Sequence, residues 1–522
     1  MIVPLTPIRC MHRAVDLYAN KIGVVCGQRR FTYGEFGERC ERLASALIAE
    51  GIQPGERVAY LSFNNHQLLE GYFGVIQARG VVMPLNVRLT PPELIAILNH
   101  SEARFLMFEN DFAPLVKALH PSCPLIEQFI SLDDDYEALL ARGQTGRADI
   151  FSYDENSIAE LFYTSGSTGT PKGVMLSHRT LYLHAMSVAA TFNRDDDGVE
   201  LHTIPLFHAN GWGRPQASTL MGVKHVMVRR FEPATVFRLI QEEQATAMSL
   251  VPTMANALIN APEREQYDLS SLQTIHIGGA AASPELVERV EKAFHCPCLA
   301  GYGLTETAPV ATSARKKGTV TYKDEADRYR RQAMAGWPIP GVEIRVVNQE
   351  MRDVPRDMHS IGEVVILGDH VMDGYFKEPE ATKAVMTDNW FHSGDMAIWD
   401  EEGYILIVDR QKDIIISGGE NISSIEVEKA IFAHPAVFEC AVVSAPDTKW
   451  GEIPVAIVVV KQGQRLTADE LLQFLQQRLA RFKLPREIEF SGEPLPKTGT
   501  GKIVKRSLRE AYWQGKSKRV QG

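Results

Sequence analysis

At 522 residues the chain is longer than one hydrophobic core ordinarily sustains, so at least two domains are expected. A hydrophobic share of 45% and a charged share of 23% are those of a globular protein able to bury a large core. The formal net charge of −10 excludes the clustered basic surface of a nucleic-acid binder, and the short basic tail at 516–519 reads as a solvated end.

No segment reaches the roughly 18 apolar residues of a membrane span, and the first residues carry no extended apolar stretch of signal-peptide type. Seven cysteines are dispersed, and the single close pair, Cys296 and Cys298, has neither zinc-knuckle nor redox spacing. Reduced thiols in a soluble, cytoplasmic protein are expected.

In chain order, Thr32 and Glu35 form a capping box, since hydroxyl and carboxylate at this spacing satisfy the free amides of a helix start. That helix is predicted to end near Gly51. A strand at 57–62, a helix to about Gly80 and an apolar run at 81–85 follow. Thr90 and Glu93 open another helix with Pro91 at its tolerated first position, and 104–108 reads as the next strand. Strands separated by helices imply parallel sheets covered on both faces. After Arg410 the pattern changes to short strands at 439–444 and 453–460. An amphipathic helix capped by Thr467 and Glu470 carries Leu471, Leu475 and Leu479 on one face. The sequence contains no internal repeat.

The most informative stretch is Tyr-Thr-Ser-Gly-Ser-Thr-Gly-Thr-Pro-Lys-Gly-Val at 163–174. It leaves an apolar segment at 158–162, so it follows a strand. Its glycines let successive amides converge on an anion, while hydroxyls and Lys172 add donors and charge. It is not a Walker A loop: Pro171 precedes the lysine and an extended 173–177 follows, where that motif runs from Gly-Lys-Ser/Thr into a helix.

With these residues the chain resembles the adenylate-forming superfamily of acyl-CoA synthetases, peptide-synthetase adenylation domains and beetle luciferases. The resemblance is carried in family order by Ile277-Gly-Gly-Ala280, Tyr302-Gly-Leu-Thr-Glu306, Gly362-Glu363, His392-Ser-Gly-Asp395, Asp409-Arg-Gln-Lys412 and Pro496-Lys-Thr-Gly-Thr-Gly-Lys502. It implies an α/β fold with a large N-terminal domain of parallel, helix-covered sheets at 1–410. A small mobile C-terminal α+β domain would occupy 411–522. The implied reaction joins a carboxylic acid to ATP as an acyl-adenylate with release of pyrophosphate, then passes the acyl group to coenzyme A.

The resemblance also assigns roles. Thr164, Ser165, Gly166, Ser167, Thr168, Gly169 and Lys172 would hold the phosphates, with Mg2+ on Glu306 and on Ser167 or Thr168. Tyr302, flanked by Gly301, Gly303 and Thr305, would stack on adenine, the Gly279-Ala280 backbone covering its other face. Asp395 with Arg410 would take the ribose hydroxyls. Lys502 would bridge carboxylate and α-phosphate as the catalytic lysine, while Lys497 is structural. Lys412 would be the hinge, and Gly418 and Gly419 would line the pantetheine channel. Ile416 stands where several relatives carry lysine, so any phosphate contact from that site is absent.

Pro205-Leu-Phe-His-Ala-Asn-Gly-Trp-Gly213 lies where the family builds its acyl wall, with His208 bordering the carboxylate and Trp212 resembling a tunnel gate. Apolar, small surroundings and no evident cation for a second carboxylate point to a monocarboxylic aliphatic acid of no particular length, and a medium- or long-chain fatty acid is the favoured expectation. A short, branched, sulfur-containing or aromatic acid, a carrier protein in place of CoA, and a non-catalytic nucleotide-binding homologue remain alternatives. The expected partners are small molecules alone, with the chain a monomer or homodimer and no integral membrane association.

Overall fold

The capping boxes form as their spacing requires. The Thr32 hydroxyl accepts the Glu35 amide at the start of helix Tyr33–Ala49, and the Glu35 carboxylate accepts the Thr32 amide in return at 2.8 Å. At helix Pro91–Ser101 the Glu93 carboxylate accepts the Thr90 amide at 2.8 Å. In the computed structural model residues 2–164, 171–192, 195–418, 420–497 and 503–514 are described. They fall into two units. One comprises Met1–Ile344, Ile366–Phe391 and Glu402–Tyr404; the other comprises Arg345–Val365, His392–Glu401 and Ile405–Gly522.

The first unit is built on two mainly parallel sheets. In a seven-stranded sheet the parallel run is, in spatial order, Ile158–Thr164, Val81–Pro84, Arg57–Leu61, Ala103–Phe108 and Gln128–Ser131. Helix His66–Gln77 is the crossover between two of these strands, as parallel pairing demands. The strand Lys172–Ser177 and the short Gly374–Tyr375 close one edge in antiparallel register. In a nine-stranded sheet the parallel run is Cys298–Gly303, Thr274–Ile277, Ala247–Leu250, Val199–His202, Lys224–Met227 and Ile22–Cys26. Each sheet has its own buried cluster, around Leu106, Leu161 and Leu94 in one and Leu201, Met248 and Ile275 in the other.

The second unit contains a long antiparallel pair, Val437–Asp447 with Gly451–Val460, and Glu487–Phe490 runs parallel to the latter. Helices Ser424–Phe432 and Ala468–Gln476 bury Val427, Ile431, Leu471 and Leu475 against it. The α/β class with a small α+β C-terminal part is thus the one expected. One helical expectation is corrected: the helix stops at Gln476, so Leu479 packs on the same cluster from beyond the helix end.

Candidate active site

The phosphate-loop segment is flanked by two paired strands. Ile158–Thr164 and Lys172–Ser177 pair antiparallel, with Thr164 directly opposite Lys172. Ser165, Gly166, Ser167, Thr168 and Gly169 lie outside the described residues. The two strands leave little room for a side chain at 173: a Cβ there would stand 3.1 Å from both Leu161 and the Tyr163 ring, which would have to give by a few tenths of an ångström.

Beyond these strands, Lys172 Nζ stands 4.8 Å from the centre of the Tyr375 ring, and the Tyr375 hydroxyl donates to Glu306 Oε1 at 2.9 Å. Tyr375 carries no signal in the sequence, where a Gly-Tyr pair reads as part of a loop. Glu306 sits half-buried on the short helical turn Thr305–Thr307, which follows directly from strand Cys298–Gly303. Tyr302, also half-buried, pairs with Thr312 in the next strand. Gly303 is the one residue type possible at its position, because a Cβ would fall on the Pro309 carbonyl. Lys172 is thereby placed by one strand, and Tyr302 and Glu306 by another strand and the turn that follows it.

Gly278, Gly279 and Ala280 continue from strand Thr274–Ile277, whose last residue pairs with Ala300, so Gly278 and Gly301 stand at the carboxyl ends of neighbouring parallel strands. That end of an open α/β sheet is where such folds bind ligands. The benzo ring of Trp212 lies on this diglycine: a Cβ at Gly278 would be 3.1 Å from Trp212 Cη2, and one at Gly279 3.5 Å from Cζ2. The residues expected to cover adenine and the residue expected to gate the acyl chain therefore share one wall.

Trp212 reaches it from an unusual turn. Ala209, Asn210, Gly211, Trp212 and Gly213 all have left-handed backbones, with φ of 45°, 53°, 48°, 61° and 71°. Left-handed conformation costs a non-glycine residue roughly 1–2 kcal/mol, and the chain on either side of these three residues is held by distant groups. Asn64 accepts from the Leu206 amide at 2.7 Å and donates to the carbonyls of His202 and Ile204. Tyr72 donates to the Leu206 carbonyl at 2.7 Å. The His184 imidazole fills the space that a side chain at Gly213 would need, and its Nε2 accepts from the Val310 amide at 3.1 Å. Burial holds His184 well below the usual histidine range, so it is neutral, as that accepting nitrogen requires. His184 thus ties the Trp212 turn to the segment after Glu306.

His208, half-buried at the head of this turn, donates its amide to the Pro205 carbonyl at 3.0 Å and accepts from Gly211 at 3.1 Å. Next to Gly213 lies a cation not evident from sequence, Arg214, buried 3.8 Å from the equally buried Glu200 and 4.3 Å from the Phe192 ring. Glu200 matches its charge, so no net positive charge results.

In the second unit Asp395 and Arg410 are opposite each other on the antiparallel strands Trp390–Trp399 and Ile405–Arg410, with Arg410 Nε 2.7 Å from Asp395 Oδ1. Glu363 supports them by accepting from the Gly394 amide at 2.9 Å while its other oxygen is 2.8 Å from His392 Nδ1. Lys412 is exposed, yet partial desolvation by its neighbours lowers its pKa, and its carbonyl accepts from Arg509 at 2.9 Å. Gly418 has φ of 62°, donates its amide to the Trp450 carbonyl at 2.8 Å and is covered by the Trp450 ring. Lys497 is ion-paired with Glu439 and bridges to Ile503. Gly419 and Lys502 lie outside the described residues.

The Lys172 strand, the Glu306 carboxylate and the tryptophan-bearing turn are the groups with which an α/β fold of this class would take a nucleotide. Residues 11–376 match the family model described as AMP-binding enzyme, and residues 426–502 match the AMP-binding enzyme C-terminal domain. The chain is 39% identical over 495 residues to a long-chain-fatty-acid–CoA ligase of Thermus thermophilus, covering 92% of this chain and 90% of that one. It is equally 39% identical to a feruloyl-CoA synthase of Amycolatopsis, covering 93% and 95%, and 35% identical to 4-hydroxybutyrate–CoA ligase 2 of Metallosphaera sedula, covering 97% and 94%. Among solved structures, the anthranilate CoA ligase AuaEII in complex with anthranoyl-AMP superposes with a TM-score of 0.88 at 25% identity, covering 98% of each chain.

The chain belongs to the AMP-binding enzyme family. It is an AMP-forming acid–thiol ligase, of the class that works with ATP, Mg2+ and coenzyme A. Among the described residues no helix is long and apolar enough to cross a membrane.

Proposed function

We propose that the chain is an acyl-CoA synthetase for a medium- or long-chain fatty acid. The reading rests on one observation above all: the benzo end of Trp212 lies against Gly278 and Gly279, giving an apolar wall beside the strand ends at which the nucleotide is expected. The identity to a long-chain-fatty-acid–CoA ligase supports the choice of acid. The equal identity to a feruloyl-CoA synthase favours an aromatic acid as the second reading, since an indole wall also accepts a flat ring. The free state of all seven cysteines fits a cytoplasmic setting.

In the first step a carboxylate oxygen attacks the α-phosphorus of ATP, and the bond to pyrophosphate breaks. Two unit charges about 4 Å apart repel by roughly 4 kcal/mol at an effective dielectric near 20, and ATP presents several. Lys172 and the loop amides carry part of that charge, and Lys502 supplies a cation between carboxylate and α-phosphate. Tyr302 and the Gly279-Ala280 backbone hold adenine, Asp395 and Arg410 the ribose, and His208 the edge of the acyl carboxylate. In the second step the thiol sulfur of CoA attacks the acyl carbonyl and AMP departs, with Lys412 as the hinge between steps and Gly418 beside the pantetheine arm.

Magnesium fits the residues present. Among the described residues no cluster of three or more His, Cys, Asp or Glu could cage a metal, whereas one half-buried carboxylate that shares Tyr375 with Lys172 suits an ion completed by phosphate oxygens and water. Glu306 would hold it, and the ion would neutralise charge on the phosphates. The test is CoA-dependent AMP release across straight-chain acids from acetate to palmitate, with 4-hydroxybutyrate and ferulate included. A kcat/KM that peaks between octanoate and palmitate is expected. A peak on ferulate transfers the assignment to the second reading, and no AMP release with any acid refutes both.

A further inference from the structure

Tyr375 touches both charged groups of the nucleotide end at once, and the segment around it is fastened from both sides. Its amide donates to Thr382 Oγ1 at 2.8 Å, and Gly374–Tyr375 pairs with Val174 and Met175 of the strand that carries Lys172. On that strand, Phe376 donates to the Gly173 carbonyl at 2.7 Å, Asp373 donates to the Met175 carbonyl at 3.0 Å, and the Asp373 carboxylate accepts from the Ser177 amide at 2.8 Å. On the other side the Met372 amide donates to the Glu306 carbonyl at 2.8 Å. Residues 372–376 are therefore a strap whose backbone is tied to the Lys172 strand and to Glu306, with Tyr375 buried at its centre.

From this geometry we infer that Tyr375 is a positioning residue for the metal–nucleotide site: its hydroxyl fixes the rotamer of Glu306 for the cation, and its ring face steadies the Lys172 ammonium for the phosphates. The inference rests on the roles proposed above for Glu306 and Lys172. The two contacts use different parts of one side chain. The hydroxyl donates to one carboxylate oxygen at 2.9 Å, which selects a single orientation of a group that otherwise rotates between several. The ring offers its negative face to the ammonium 4.8 Å away, which attracts the cation without consuming its hydrogen-bond donors. A lysine held this way keeps its N–H groups for phosphate oxygens. A carboxylate held by a neutral donor keeps its charge for the metal. No other common side chain supplies both a neutral donor and an aromatic face from this strap at that length. Histidine is shorter, and tryptophan places its N–H on the ring edge.

Hydrogen-bond partners of a metal-binding carboxylate typically govern metal affinity by ten- to a hundredfold. The hydroxyl and the ring can be removed separately. Tyr375→Phe keeps the ring and loses the donor; Tyr375→Leu loses both. The measurement is Mn2+ binding in the presence of α,β-methylene-ATP, followed by the paramagnetic signal of free Mn2+, so that no turnover is involved. Thioester formation from premade acyl-adenylate and CoA runs in parallel as the check that each variant is folded.

Tyr375→Phe is expected to weaken Mn2+ binding by about tenfold or more, to leave affinity for the metal-free nucleotide analogue within about twofold of wild type, and to leave the thioester step intact. Tyr375→Leu is expected to weaken both metal and analogue binding. Wild-type Mn2+ affinity in Tyr375→Phe overturns the inference while leaving the proposed function standing, provided that Glu306→Gln loses Mn2+. If Glu306→Gln binds Mn2+ as wild type does, the metal assignment falls, and the role of Tyr375 falls with it.

Discussion

Removing the Trp212 indole should change which acids the enzyme prefers, and the size of the change can be set in advance. The benzo end of the indole lies against Gly278 and Gly279, and the part of the ring they leave uncovered is what an acyl chain would meet. Each methylene transferred from water to such a surface contributes about 0.8 kcal/mol, or about fourfold in kcat/KM; two methylenes against the ring make about fifteenfold. Trp212→Ala should therefore flatten the rise of kcat/KM with chain length by about this factor across the steps that contact the ring, while kcat/KM for acids too short to reach it stays within about twofold. Gly278→Ala is the companion: its Cβ would sit 3.1 Å and 3.3 Å from two ring carbons, closer than normal packing, so the indole must shift by a few tenths of an ångström without being lost. Its profile should move in the same chain-length window and by less. The assay is AMP release at saturating CoA and ATP with hexanoate to palmitate. A Trp212→Ala profile parallel to wild type over that whole range refutes the wall, however much total activity falls.

Three further outcomes are expected. Lys502→Ala should abolish pyrophosphate exchange yet leave thioester formation from premade acyl-adenylate largely intact; equal loss of both half-reactions removes Lys502 from the adenylation step. Gly303→Ala drives a Cβ into the Pro309 carbonyl and should lower stability by at least about 2 kcal/mol, read as a fall in urea midpoint, together with loss of exchange because the Glu306 turn cannot keep its place. Burial pushes His178 and His370 each down to about 4, so both are neutral when folded but take up a proton near pH 6.5 when unfolded. The unfolded chain then binds more protons between pH 6.5 and 4, and stability must fall as pH falls through that window, by about 2 kcal/mol per histidine between pH 7 and 5. Urea midpoints at the two pH values test this, and in His370→Gln the drop should shrink; an unchanged drop excludes His370 as a source.

What the sequence makes legible is what depends on neighbours along the chain. Thr32 with Glu35 and Thr467 with Glu470 declare helix starts because cap and carboxylate are one turn apart. Thr164 and Lys172 come to face each other because the glycine-rich segment between them follows one extended run and precedes another. The Trp212 turn shows where this stops. Its two glycines at 211 and 213 announce a bend, but nothing local tells Ala209, Asn210 and Trp212 to adopt left-handed backbones. Asn64 and Tyr72 hold residues 202–206 that lead into the turn and His184 fills the space beside Gly213, residues of ordinary core type whose meaning appears only when sheet and helix bring them there. Tyr375 is the same case at the nucleotide end, where 69 residues separate it from the carboxylate it orients. Charged and glycine-rich motifs are readable because the chemistry needs those residue types. The neutral residues that aim them are unreadable, because many side chains could fill the same place and only packing chooses one. It follows that variants which remove only the polar group, Tyr72→Phe and Tyr375→Phe, should disturb specificity and metal dependence more selectively than they disturb folding, since each keeps the buried ring and loses only the bond that sets a direction.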